Sequence, residues 1–389
     1  MNQNIQRSLF DDLGPPPEEI DNTISLLALS NLRGVGFATV RTLLDAFGGN
    51  LAAVWKAPYD NLQQYLRLAN IPQHEFIAHQ IHEHSPKLFD QAREKAALLQ
   101  TERHISIIFK NTPAYPQALN ALKDPPAWLF VEGHTGILHD PAICAVIGTR
   151  TPTQSGVEAA KRASSSLARA GYVILSGLAE GIDVVGHQAA IDFGAPTIAV
   201  LGHGTDVAMS TAASRLRRKI VELGGAVVSE YLPKDTYTRE RFVARDRIQA
   251  ALAQVIIVAE GRVKGGTAHT VRFARQIERP VVGVRLGRSE LSPEINLIEE
   301  LGRQSAPIFD LEVSDSSKQF LPYMLQVLPV GDVSQRRMPP RLFLAPYREI
   351  ERLARKYGAV PEDFEWLMKQ IQALASAGGR RDGNSGGHS

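Results

Sequence analysis

Six short apolar runs in the middle of the chain constrain its fold more than any other feature. They are Ile143–Ile147, Tyr172–Leu175, Thr197–Leu201, Ala226–Ser229, Val255–Ala259 and Val281–Val284. A strand with one wet face alternates apolar and polar residues. These runs are nearly continuous in apolar character, as strands covered on both faces must be. Between them lie amphipathic segments of helix length. Strand and helix alternating in this way predict a mostly parallel sheet with helices on both sides, joined by right-handed crossovers.

At 389 residues the chain is long enough for two or three domains and can bury a core without covalent staples. Its single cysteine, Cys144, lies in the first of the six runs and reads as a core residue. A net charge of only +2 excludes a global electrostatic case for nucleic acid, so any such case must rest on local clustering. No apolar run is long enough to cross a bilayer, and no secretory pattern opens the chain, so a cytoplasmic protein with no membrane partner is expected.

Residues 1–20 are polar with three consecutive prolines and read as a disordered leader. Residues 21–104 read as a helical domain, with Ile24, Leu27 and Ala28, then Val40, Leu43, Leu44 and Phe47, at helical spacing. Residues 105–290 are the expected Rossmann-like domain. Residues 291–340 read as an irregular linker, 341–378 as a small helical region and 379–389 as a flexible tail.

Four clusters of potential anion ligands follow the predicted strands. Gly148-Thr149-Arg150 comes first, where a strand turns into a helix whose free N–H groups and dipole attract phosphate. The turn with Ser176, Gly177 and Gly181 comes second, with Asp183 as an N-cap for the helix carrying His187. Gly204 lies in the third turn. The fourth, Lys264-Gly265-Gly266-Thr267, opens another helix. In addition, Arg239, Arg241, Arg245 and Arg247 surround Phe242 on a predicted helix and read either as a solvated face or as an anion-binding stripe. Taken singly each motif is weak. Together, at successive strand ends where open α/β sheets bind their ligands, they predict a phosphate-lined groove. No nucleophile–base pair, carboxylate dyad or metal-ligand spacing accompanies them, so no catalytic residue, cofactor or metal is expected.

These residues, with Tyr115-Pro116, Asp124-Pro125-Pro126, Leu129-Phe130 and Ser229-Glu230, make the chain resemble the DNA-processing protein A (DprA/Smf) family over about Tyr115 to Leu286. The resemblance implies an extended Rossmann-like domain that dimerises, binds single-stranded DNA and helps load a RecA-type recombinase, in natural transformation or related DNA processing. It carries a phosphate-contacting role onto Arg150, Arg245 and Arg247. Three departures stand out. The family's Arg-Asn-Arg reads Arg245-Asp246-Arg247. The usual Tyr-Pro after the third strand is absent, with Ala208-Met209 there instead. Gly265-Gly266-Thr267 replaces Ser-Gly-Ser/Thr. Near the N-terminus, Gly34 and Gly36 resemble the glycine turn of a helix-hairpin-helix (SAM-like) domain, a possible second DNA contact or a plain helix–helix turn. The competing expectation is a Rossmann-like nucleotide sensor or phosphoribohydrolase-like protein, with phage defence as its setting. Gly265-Gly266-Thr267-Ala268-His269-Thr270 lacks the glutamate expected of such hydrolases.

Overall fold

A computed structural model describes residues 21–287, 292 and 294–328. The expectations for residues 1–20 and for 341–389 fall outside the described residues.

The N-terminal part consists of α1 (Asn22–Asn31), α2 (Phe37–Ala46), α3 (Tyr59–Leu68), α4 (His74–His82) and α5 (Pro86–Thr101). The Asp21 carboxylate caps α1 by accepting from Ile24 N–H. The tight turn into α2 uses Gly34 at φ +79°. Leu26, Leu27, Val40, Leu43, Leu62, Leu66, Ile77 and Ile81 converge in one apolar core. That core continues into the first two strands of the sheet, β1 (Ile105–Phe109) and β2 (Trp128–Gly133), through Phe109, Trp128 and Phe130.

Seven further strands complete one nine-stranded sheet. They are separated by helices in the order β3 (Ile143–Gly148), α6 (Gln154–Arg169), β4 (Val173–Ser176), α7 (Ile182–Asp192), β5 (Thr197–Val200), α8 (Thr211–Glu222), β6 (Ala226–Ser229), α9 (Arg239–Leu252), β7 (Val255–Glu260), α10 (Thr267–Gln276) and β8 (Val281–Arg285). The chain then adds α11 (Leu297–Arg303), β9 (Ile308–Asp310) and α12 (Ser314–Val327). Strand order is β1-β2-β6-β5-β4-β3-β7-β8-β9. From β6 to β9 every pairing is parallel, while β1–β2 and β2–β6 are antiparallel.

All six apolar runs are strands at or within a residue or two of their expected limits, in an α/β Rossmann-like fold. Alternate residues of the strands face opposite cores. Ala145, Ile147, Leu175 and Val258 pack with α9, α10 and α11. Cys144, Val146, Ile174 and Ile257 pack with α6, α7 and α12. The stretch 291–340, expected to be irregular, requires correction over its described part. It contributes α11, α12 and an edge strand whose Gly283–Ile308 pairing extends the sheet.

The chain winds outward from β3 to β6, then α9 carries it back across the sheet to β7 on the other side of β3. Here the strand order reverses, and the loops beyond the carboxyl ends of β3 and β7 diverge to leave a crevice.

Candidate nucleic-acid interface

A cavity of about 630 Å³ occupies that crevice. Its walls are the β3 loop (Gly148, Thr149, Arg150), the stripe of α9 from Arg239 to Gln249 with the preceding Tyr237 and Thr238, and the segment from Arg262 to Thr270. Asp183 of α7 closes one side.

Main-chain bonds hold the β3 loop rigidly. Thr149 N–H donates to Glu260 O at the end of β7, and Thr149 O accepts from Ile182 N–H at the start of α7. The Glu260 carboxylate is itself buried, accepting from Thr153 N–H and, at 2.6 Å, from Thr153 Oγ1 at the start of α6. Gly181 lies against this loop at φ +86°. A Cβ there would come within 2.3 Å of Thr149 O. Close approach of these two loops aims Arg150 across the cavity mouth, where its guanidinium lies over the Phe242 ring.

The mouth is basic. Arg150, Arg239, Arg262 and Lys264 are exposed lining residues, and among the described residues none of the four forms an ion pair. Thr267 opens α10, and no side chain caps that helix at Gly266. The positive end of its dipole therefore adds to the same field. His269 contributes no charge near neutral pH, since burial and then Arg272 and Arg239 lower its pKa.

The interior is different in kind. Asp183 accepts from Gly177 N–H at 3.2 Å and from Ala179 N–H at 3.4 Å. Burial raises its pKa, opposed by Arg245 and by these amides. Arg245 is 4% exposed. It donates to Val200 O at 2.9 Å, lies 3.4 Å from the Asp246 carboxylate and fills the space a Cβ on Gly177 would occupy. Burial pushes the Asp246 carboxyl up to about 7, with Arg245 pulling it down and Asp183 pushing it further up.

Geometry therefore divides the residues singled out from sequence. Gly148, Thr149, Arg150, Lys264, Gly265, Gly266 and Thr267 meet at the cavity. Gly177 and Gly181 support it from behind. Arg245 reaches its wall only as an internal brace. The others are turned to protein partners. Ser176 donates its hydroxyl to Val146 O. Gly204 donates its N–H to Asp235 O. Arg241 pairs with Asp235 and Thr236 O and lies over Tyr231. Arg247 makes a two-pronged pair with Glu230, both contacts 2.7 Å, and reaches Asp124 O. Free phosphate-binding arginines at 245 and 247 are thus a correction: each guanidinium is already engaged inside the fold. Gly34 and Gly36 lie at the α1–α2 turn and do not line the cavity. Sequence reasoning left out Arg262, Asp246 and Gln249 as site residues. Position alone could have flagged Arg262, just beyond the carboxyl end of β7.

The paired motif Asp124-Pro125 has a structural use as well. Arg41 of α2 bonds Asp124 Oδ1 and Pro125 O, so Asp124 links the helical part to Arg247 and, through it, to Glu230 at the end of β6.

Comparison with known proteins follows the sheet and the cavity loops. The model of the DNA recombination-mediator protein A family matches residues 106–305, just over half of the chain. The DNA processing protein DprA of Streptococcus pneumoniae is 35% identical over 190 residues, 47% of this chain and 66% of that protein. Protein Smf of Escherichia coli is 37% identical over 170 residues, 43% of this chain and 44% of that protein. In both, the match spans less than two thirds of the relative's own length. The X-ray structure of DprA from Streptococcus pneumoniae superposes with a TM-score of 0.53 at 26% identity, covering 78% of this chain and 98% of that one. On the family match, the fold and the cavity loops, this chain belongs to the DNA recombination-mediator protein A family.

Proposed function

We propose that this protein binds single-stranded DNA across the basic mouth of the β3–β7 cavity and acts, without turnover, as a mediator in DNA recombination. The observation that carries this reading is the convergence of Arg150, Arg239, Arg262 and Lys264 with the start of α10 on one rim, none of the four in an ion pair among the described residues. Unpaired cations on a rim beside a helix N-terminus favour phosphates whatever the base sequence. Catalysis is not needed to account for the carboxylates in the cavity, because Asp183 accepts from two backbone amides and Asp246 pairs with Arg245. Helping to load a RecA-type recombinase, acting as a homodimer and working in the cytoplasm belong to the same reading, supported by family membership. Among the described residues no helix is long and apolar enough to cross a membrane.

Fluorescence anisotropy with a labelled single strand and its duplex, at two salt concentrations, tests this. The single strand binds tighter and weakens steeply with salt as counterions are recaptured. Equal affinity for the duplex would contradict a single-strand site. The size of the cavity, about 630 Å³, also favours a second reading, a site for one free nucleotide. Thermal stabilisation by nucleotides with no strand binding at low salt would select it.

A further inference from the structure

Gly204, in the turn after β5, does not line the cavity, and its surroundings form a separate basic site. The loops after β5 and β6 are zipped together. Gly204 N–H donates to Asp235 O and Asp206 N–H to Pro233 O, both at 2.8 Å. A Cβ at Gly204 would come within 1.9 Å of Leu232 O, so the loops can approach this closely only at a glycine. Together they present the Asp206 carboxylate and the exposed Lys234.

Cations from two more elements converge on this platform. Arg103, just beyond α5, pairs with Asp206 and donates to Thr205 O at 3.1 Å. Arg217 of α8 donates to the same Thr205 O at 3.0 Å and pairs with Glu132 of β2. Sharing one carbonyl makes the two guanidinium groups neighbours. Lys95 of α5 is half-buried beside them. Burial lowers its pKa, Asp206 raises it, and Lys234 and Arg103 lower it again. Asp235, next to Lys234, is taken by Arg241 and by Leu232 N–H. Among the described residues, neither Lys95 nor Lys234 forms an ion pair. Like charges gathered in a partly buried place repel one another, and an anion between them relieves the repulsion.

This cluster adjoins the cavity. Lys234 opens the stretch that runs on through Tyr237 and Thr238 to Arg239 at the rim. Five residues of chain span at most about 18 Å, so the two basic sites are close neighbours. Both lie beyond carboxyl ends of strands in the same parallel part of the sheet.

We propose that a DNA strand leaving the cavity rim runs along the carboxyl edge of the sheet and sets its next phosphates against Lys95, Arg103 and Lys234, a second contact built jointly by α5 and the loops after β5 and β6. The inference rests on the strand-binding reading above. Ammonium and guanidinium donors hold phosphate oxygens whatever the base. An acidic protein segment would offer the same charge, but continuity with the rim along one loop favours the strand.

The test uses the full chain, a Lys95→Gln, Lys234→Gln double variant and labelled oligothymidines of about 4 to about 16 nucleotides, titrated by fluorescence anisotropy. Parent and variant bind the shortest strands alike, because these fill only the cavity site. On the longest, the variant's slope of log K against log salt is shallower by about 1.4, so the parent's advantage grows roughly sevenfold when salt falls about fourfold. Lys234→Gln alone, at an exposed position, gives about half that change in slope and keeps the test standing if the double variant melts early. Identical slopes and affinities at every length overturn the inference and leave the cavity reading in place. An equal loss at every length also overturns it, since the lysines would then act only as a diffuse field. Binding of a polyglutamate peptide that the variant loses, with strand binding unchanged, assigns the cluster to an acidic protein segment instead. Absence of parent binding to any strand overturns the strand-binding reading and the inference with it.

Discussion

The guanidinium carbon of Arg150 sits 4.5 Å from the centroid of the Phe242 ring, so the β3 loop and α9 touch across the cavity mouth. Gly202 leaves room for this ring, since a Cβ there would come within 2.9 Å of it. Phe242 thus holds a cation in place without contributing charge. Phe242→Ala should weaken strand binding although every phosphate-facing cation remains. In a double-mutant cycle with Arg150→Ala, a coupling of about 0.5–1 kcal/mol is expected. Strict additivity would show that the two residues act independently.

Arg247 and Glu230 form a buried pair, their side chains 11% and 2% exposed. Arg247→Ala leaves the Glu230 carboxylate buried without its cation, which should cost about 3–5 kcal/mol of stability. Chemical denaturation would measure that loss. Strand affinity of the folded fraction should change little, because Arg247 does not line the cavity. A large loss of affinity in a stably folded variant would return Arg247 to the binding surface.

Asp246 makes stability depend on pH. Its carboxyl is pushed up to about 7 by burial, so the folded chain keeps a proton that the unfolded chain releases near its ordinary value. The associated stability is fully present below the unfolded value and is lost as pH rises through about 7. Asp246→Asn cannot ionise and escapes that loss. Its Tm relative to the parent should therefore rise between about pH 5 and about pH 8, by the equivalent of about 2 kcal/mol. A flat difference would mean that Asp246 is ionised throughout.

Gly181 and Gly194 both have positive φ, +86° and +62°, but only Gly181 has a neighbour that a Cβ would strike. Alanine at either position should cost about 1–3 kcal/mol through backbone strain. Only Gly181→Ala should also reduce strand affinity, because its Cβ displaces the Thr149–Arg150 loop. Equal affinities in the two variants would separate this loop from binding.

Much of the sheet is legible in the sequence because β3 to β8 are buried on both faces and so leave unbroken apolar runs. The segment around α11 and β9 is not, since a seven-residue helix and a three-residue edge strand carry too little periodicity to stand out from a charged stretch. At the site, glycines and cations at strand ends located the cavity. The run Arg239 to Arg247 misled at its far end. Spacing along one helix cannot reveal that Val200 O and the Glu230 carboxylate lie across from Arg245 and Arg247. Those partners come from β5 and the end of β6, brought close only by the folded sheet. Gln249 carried no local signal at all, because what sets it apart is a buried Nε2 with no hydrogen-bond partner among the described residues.

The most direct measurement is the salt dependence of single-strand affinity for the parent and for an Arg150→Ala, Lys264→Ala double variant with unchanged thermal melting. If both side chains neutralise phosphates, the slope of log K against log salt becomes shallower by about 1.4, at about 0.7 per phosphate on a single strand. An unchanged slope, with affinity intact, would contradict the placement of DNA at the β3–β7 cavity.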